Sequence, residues 1–221
     1  GRLRPLGRAL IELAEASTVP VSVHLDHAES TDLCREAVEL GFTSIMYDGS
    51  KLPDAQNRET TAEITAFAHE HGVSVEAELG EVGGKNGVHD PSARTNPEDA
   101  AQFVADTGVD LLAVAVGSSH AMATREAVLD NQLIAAIHEL VPVPLVLHGS
   151  SGVPDEGMVA AIQAGMTKIN VSTHLNVVFT QGVRQILDEN PKIVDPRKYV
   201  GPATHVVQEE VERLMRLYAQ A

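Results

Sequence analysis

Apolar residues fall along this chain in two alternating rhythms. Short runs rich in Val, Ile and Leu predict strands at 19–25, 44–48, 73–79, 111–116, 143–148 and 168–172. Most do not alternate polar with apolar, which is how strands covered on both faces read, as in a parallel sheet. Between them, apolar positions recur at helical spacing over 3–16, 31–40, 54–71, 97–107, 127–140 and 155–164, with a longer tail over 173–189 and 203–219. In the first of these, Leu3, Leu6, Ala9, Leu10 and Leu13 make one apolar stripe.

The residues at the joints agree with this division. Asn96-Pro97-Glu98-Asp99 is an N-cap followed by proline at the first helical position and acids in the first turn. Gly41, Gly72, Gly108 and Gly165 each follow a helical run, where a left-handed cap residue is expected. Strand, helix and strand in short succession imply right-handed crossovers and a parallel sheet.

The expected fold is therefore α/β, a TIM (β/α)8 barrel. Six of its eight units are visible, and the first two strands are expected to be absent at the amino end, since the chain opens on a helix. Residues 1–221 read as one domain, with the C-terminal helical tail beginning near 173. The one long stretch without structural signal, 80–96, carries Gly83, Gly84, Gly87 and Pro91 and reads as a loop over the active face.

Composition narrows the class. A chain of 221 residues that is 43% hydrophobic can bury a sizeable core. Its net charge of -15 argues against a nucleic-acid partner, and no apolar run reaches membrane-spanning length. Cys34 is the sole cysteine; it lies in a helical pattern and reads as a buried thiol, which suits a reducing cytoplasm.

Chemistry gathers at the carboxyl ends of the predicted strands. His27, His120 and His148 each stand just past an apolar run, where barrel ligands sit; three imidazoles there suit a zinc ion with its fourth position open. Asp26 supplies a carboxylate next to His27. Alternation puts His24 and Asp26 on one side of their strand, with His27 at its end. Glu76 and Glu78 interrupt a buried-type strand and need a metal, a cation or hydrogen-bond donors. Asp48 ends another strand.

Two Gly/Ser/Asn clusters, His148-Gly149-Ser150-Ser151-Gly152 and Asn170-Val171-Ser172-Thr173, each lead into a helix and suit a phosphate. Lys168 is expected to begin its strand on the opposite face, so no Schiff-base lysine is offered. His69 and His71 close a helix, His138 and His205 read as helix-surface residues, and His174 stands near the site. No dinucleotide fingerprint or P-loop is present.

Together these segments resemble the class II, metal-dependent ketose-bisphosphate aldolases, the fructose- and tagatose-bisphosphate aldolase family. The matching stretches are His24-Leu25-Asp26-His27, Asp48-Gly49-Ser50, Glu76-Ala77-Glu78-Leu79-Gly80 with Gly83-Gly84, Gly117-Ser118-Ser119-His120, Leu147-His148-Gly149-Ser150-Ser151-Gly152 and Lys168-Ile169-Asn170-Val171-Ser172-Thr173. The resemblance implies zinc on His27, His120 and His148, with Asp48 and Glu78 at an alternative or second metal position. It implies Asp26 as the acid/base at the C4 hydroxyl. Gly149, Ser151, Asn170, Val171, Ser172 and Thr173 would contact dihydroxyacetone phosphate, with Na+ or K+ nearby. A cytoplasmic homodimer or homotetramer is implied as well. Two places depart from the pattern: Lys85-Asn86-Gly87 stands where an acid usually follows Gly-Gly, with Asp90 a distant substitute, and Ala121 replaces the usual glycine after His120. Two other readings stay open at this point, a non-catalytic paralogue and another metal-dependent barrel enzyme acting on a phosphorylated sugar.

Overall fold

The structure is a computed structural model that describes residues 3–79, 94–120, 122 and 124–221. Its elements run α1 (Leu3–Glu15), β1 (His24–Ala28), α2 (Thr31–Leu40), β2 (Ser44–Tyr47), α3 (Asp54–Glu70), β3 (Ser74–Leu79), α4 (Pro97–Thr107), β4 (Leu111–Val114), α5 (Asn131–Leu140), β5 (Leu145–Leu147), α6 (Asp155–Gln163), β6 (Met166–Ile169), α7 (Thr173–Glu189) and α8 (Arg197–Tyr218), with a 3-10 turn at Ser150–Gly152. The sheet order is β1-β2-β3-β4-β5-β6, and the ladders from β1 through β5 are parallel. This is the parallel α/β architecture expected from the sequence.

By their contacts the described residues fall into two units. The first takes residues up to 79, 94–115 and 135–146; the second takes those of 116–134 and 147–221. In the first unit the core is β2, β3 and β4 with helices packed on them: Ile45, Met46, Val75, Ala77, Leu112 and Val114 are fully buried, as are Ile64 and Phe103 of α3 and α4. Cys34 is fully buried there too, and burial pushes its thiol up to about 12, which makes it inert. In the second unit α7 and α8 pack along each other, with Gly182 of α7 facing Ala203 of α8.

Prolines account for two of the displaced boundaries. β1 begins at His24 rather than at 19, because Pro20 has no N–H to give a ladder. Pro142 and Pro144 delay β5 to Leu145 in the same way. α5 begins only at Asn131, since Asp130 caps it through Oδ1 to the Leu133 N–H, and Ala127 and Leu129 are buried around an exposed Val128 in extended alternation. α8 starts early, at Arg197, and carries Pro202 inside, where residues 197, 198, 200 and 202 are exposed.

β6 occupies Met166–Ile169, not 168–172. Lys168 is therefore its third residue, not its first, and its ammonium turns to Asn170. The glycines after helices are as expected: Gly41, Gly72, Gly108 and Gly165 all have positive φ. Among the described residues no helix is long and apolar enough to cross a membrane.

Candidate functional site

In the first unit, the segment His24–Ala28 holds an exceptional backbone. His27, expected at the strand's end, lies within it at φ 49, and no other described non-glycine residue has positive φ. The β1–β2 register shifts between Leu25 and Ala28 at that point. Left-handed backbone at a non-glycine residue is strained, and such strain concentrates at functional positions. Its effect falls on His27, past Asp26, whose side chain is left half exposed.

Asp48 fixes the His27 ring. Its Oδ2 lies 2.7 Å from Nδ1 of His27, while Oδ1 accepts from the Ser50 hydroxyl at 2.6 Å and the Ser50 N–H at 3.2 Å. A buried carboxylate only accepts, so Nδ1 carries a proton, and in the neutral imidazole Nε2 is then the nitrogen with the lone pair. That is the arrangement by which carboxylates orient metal-binding histidines. Deeper in the sheet, Glu76 and Glu78 are fully buried, two residues apart on one strand and so on one face. The Glu76 carboxylate lies 3.7 Å from His24 Nε2, which is also 3.9 Å from Asp26; His24 Nδ1 bonds the Ser44 hydroxyl at 2.8 Å. His24 and Asp26 do share a side.

The second unit carries the other two histidines. The rings of His120 and His148 meet edge to face with centroids 5.6 Å apart, and His148 is fully buried. Gly149 makes this approach possible. Its φ is +67, and a Cβ would lie 2.6 Å from the backbone carbonyl of Ser119. The Asn170 amide lies 3.2 Å from Nε2 of His148, and the Asn170 backbone is pinned by the Leu147 carbonyl and the Ser150 hydroxyl. Ser151 Oγ accepts from the His174 N–H at the start of α7. Ser172 precedes α7 without a side-chain capping bond, so its hydroxyl is not used as a cap. Val171, Ser172 and Thr173 follow Asn170 into that helix.

Some contributors carried no clear sequence signal. Ser150 stood inside the cluster read as a phosphate site and Ser50 inside a matching stretch, but neither was given a role of its own. Glu210, far along α8, holds His174 Nε2 at 2.6 Å; Arg213 beside it, against the cost of burial and with help from His174, keeps the Glu210 carboxyl down at about 2. Asp155 at the start of α6 is paired with both Arg213 and Arg125; burial opposes ionisation there, yet the two guanidiniums hold it below the usual carboxylate range. His69 pairs with Asp110, and His138 and His205 are exposed, in keeping with their reading as residues outside the site. The glycine-rich stretch with Lys85, Asn86, Gly87 and Asp90, and Ala121, lie outside the described residues.

Strand-end histidines, buried acids and a glycine-tight Ser-rich loop are thus all carried by a parallel α/β fold. The comparisons make this specific. The family model of class-II fructose-bisphosphate aldolase matches residues 1–221. The fructose-bisphosphate aldolase of Staphylococcus epidermidis is 41% identical over 201 residues, covering 90% of this chain and 70% of that protein. That of Geobacillus stearothermophilus is 40% identical over 206 residues, covering 92% and 72%. A crystal structure of a putative fructose-1,6-bisphosphate aldolase from Coccidioides immitis superposes with TM-score 0.84 and 31% identity, over 97% of this chain and 77% of that one. The chain belongs to the class II fructose-bisphosphate aldolase family, and its activity class is that of a lyase.

Proposed function

We propose that the protein is a zinc-dependent aldolase that cleaves fructose 1,6-bisphosphate or tagatose 1,6-bisphosphate to dihydroxyacetone phosphate and glyceraldehyde 3-phosphate, and runs the reverse condensation. The observation that carries the metal reading is the His27–Asp48 contact, which leaves Nε2 of His27 as a lone-pair donor. The donor chemistry fits zinc: His27, His120 and His148 would hold it, three imidazoles being a usual zinc-binding complement. Glu78 and Asp48 would serve an alternative metal position, Asp48 otherwise orienting His27.

When bound, the zinc supplies Lewis acidity to the oxygens of the ketose, typically worth several kcal/mol of charge stabilisation. The remaining work falls to the chain itself. Asp26, half exposed in β1, removes the proton from the C4 hydroxyl oxygen on cleavage and returns it on condensation. Gly149 and Ser151 with Asn170, Val171, Ser172 and Thr173 bind the phosphate of the triose, through backbone N–H groups at the start of α7 and adjacent hydroxyls. A Na+ or K+ ion near that phosphate, a cytoplasmic location, a homodimeric or homotetrameric state and a single barrel domain over 1–221 with the tail from 173 complete the reading.

Metal analysis tests it. Purified protein dialysed against dilute zinc is expected to retain about one zinc per chain, and His27→Ala, His120→Ala and His148→Ala are each expected to lose it while keeping their circular dichroism. Retention of stoichiometric zinc by all three would overturn the assignment.

A further inference from the structure

We propose that Lys168 is a positioning residue that locks the carboxamide of Asn170 with its N–H end forward, and so sets Asn170 to donate to a substrate oxygen. The inference rests on the aldolase reading above and adds a specificity element to it. Lys168 and Asn170 are two residues apart at the end of β6, so strand alternation brings their side chains to one side. The Lys168 ammonium donates to Asn170 Oδ1 at 2.7 Å. The opposite end, Nδ2, lies 3.2 Å from Nε2 of His148.

Lysine is what makes this assignment one-sided. An ammonium has three donors and no acceptor, so it can face only the carbonyl end of an amide. Turning the carboxamide over would exchange a charge-assisted hydrogen bond for two donors set against each other. The backbone cannot swing to relieve that conflict. The Asn170 N–H donates to the Leu147 carbonyl at 3.0 Å, and its C=O accepts from the Ser150 hydroxyl at 2.5 Å. The amide carbonyl and both backbone groups of Asn170 are thus engaged, and of the two N–H bonds of its amide the contact with the histidine uses at most one. Ketose and triose-phosphate oxygens are hydrogen-bond acceptors, and a donor fixed in advance binds them without reorientation.

The test compares Lys168→Met, Lys168→Arg, Asn170→Ala, Asn170→Asp and the double variant Lys168→Met/Asn170→Ala. Dihydroxyacetone phosphate binding is measured by calorimetry, and KM and kcat for fructose 1,6-bisphosphate in the steady state. Lys168→Met is expected to weaken triose-phosphate binding and raise KM by roughly ten- to a hundredfold, the range of a hydrogen bond to a charged group, with a smaller change in kcat. Lys168→Arg is expected to restore most of the loss. Asn170→Asp keeps an acceptor for Lys168 but has no donor, and is expected to bind as poorly as Lys168→Met. In the Asn170→Ala background, Lys168→Met is expected to add less than about twofold.

Binding by Lys168→Met within about twofold of wild type would overturn the proposal. So would an equal loss in both backgrounds, or wild-type binding by Asn170→Asp. Should wild type neither cleave the sugar nor bind the triose phosphate, the aldolase reading fails instead. Urea denaturation of the single and double variants then still reads the Lys168–Asn170 coupling, and additive stability losses would overturn the positioning role by themselves.

Discussion

Gly149→Ala is the sharpest perturbation the structure offers. Two separate costs meet at this residue. At φ +67 any side chain is strained, which costs about 1–2 kcal/mol. The added Cβ would also lie 2.6 Å from the Ser119 carbonyl carbon and oxygen and 2.9 Å from its nitrogen, so backbone and not a flexible side chain must give way. Forcing extra volume into packed structure costs about 1–3 kcal/mol more. The sum is about 2–5 kcal/mol, or a fall of about 1 M in the urea midpoint for a denaturant slope near 3 kcal/mol/M. Gly72→Ala is the control, because Gly72 has φ +71 with nothing within 4 Å of its Cβ position. It bears the conformational cost alone, about 1–2 kcal/mol. Urea denaturation of the two variants beside wild type isolates the contact term. Because Ser119 and Gly149 flank His120 and His148, Gly149→Ala is also expected to depress activity far more than Gly72→Ala. Equal midpoints for the two variants would refute the claim that the Ser119 backbone closes on Gly149.

Three further outcomes are expected. Asp48→Asn, which keeps an acceptor but loses the charge that orients His27, is expected to weaken zinc binding about 10- to 100-fold in a chelator competition; affinity within threefold of wild type would remove Asp48 from that role. Asp26→Asn is expected to lower kcat by about 10²–10⁴ with zinc content and urea midpoint unchanged, since the side chain is half exposed; a midpoint shift as large as that of Gly149→Ala would show a structural role instead. Glu210 is held at about 2 in the folded chain against an ordinary 4.5, so its contribution is present above pH 4.5 and is lost as pH falls toward 2. Arg213→Met, which removes the main cause of that depression, is expected to flatten the loss of stability between pH 4.5 and 2, as followed by urea denaturation at stepped pH; identical slopes in the two proteins would contradict the coupling.

The fold was legible where burial dictates composition. β2, β3 and β4 lie within a residue or two of their Val-, Ile- and Leu-rich runs, because strands covered on both faces admit little else. Cap chemistry placed α2, α4 and the left-handed glycines. Backbone exceptions were not legible. Nothing in Val-Ser-Val-His-Leu-Asp-His announces positive φ at His27, since local sequence disfavours it and tertiary contacts such as the Asp48 carboxylate sustain it. Val-Pro-Val-Pro looked strand-like by hydrophobicity, although each proline removes a ladder donor. At the site, residue type pointed to His27, Asp48, Glu78 and His148, whose pattern is local. It could not point to Glu210, whose part depends on which side chain lies opposite across the fold, and it missed Lys168 because that residue was expected to begin its strand on the other face.

The account turns on metal-dependent aldol cleavage, and triose-phosphate release tests that most directly. The protein is mixed with fructose 1,6-bisphosphate and with tagatose 1,6-bisphosphate, with chelator and again after zinc is restored, while dihydroxyacetone phosphate is measured. Release that chelator abolishes and zinc restores is the predicted result, and the faster sugar identifies the preferred substrate. Release that survives complete removal of metal, or none from either sugar by zinc-loaded protein, would contradict it.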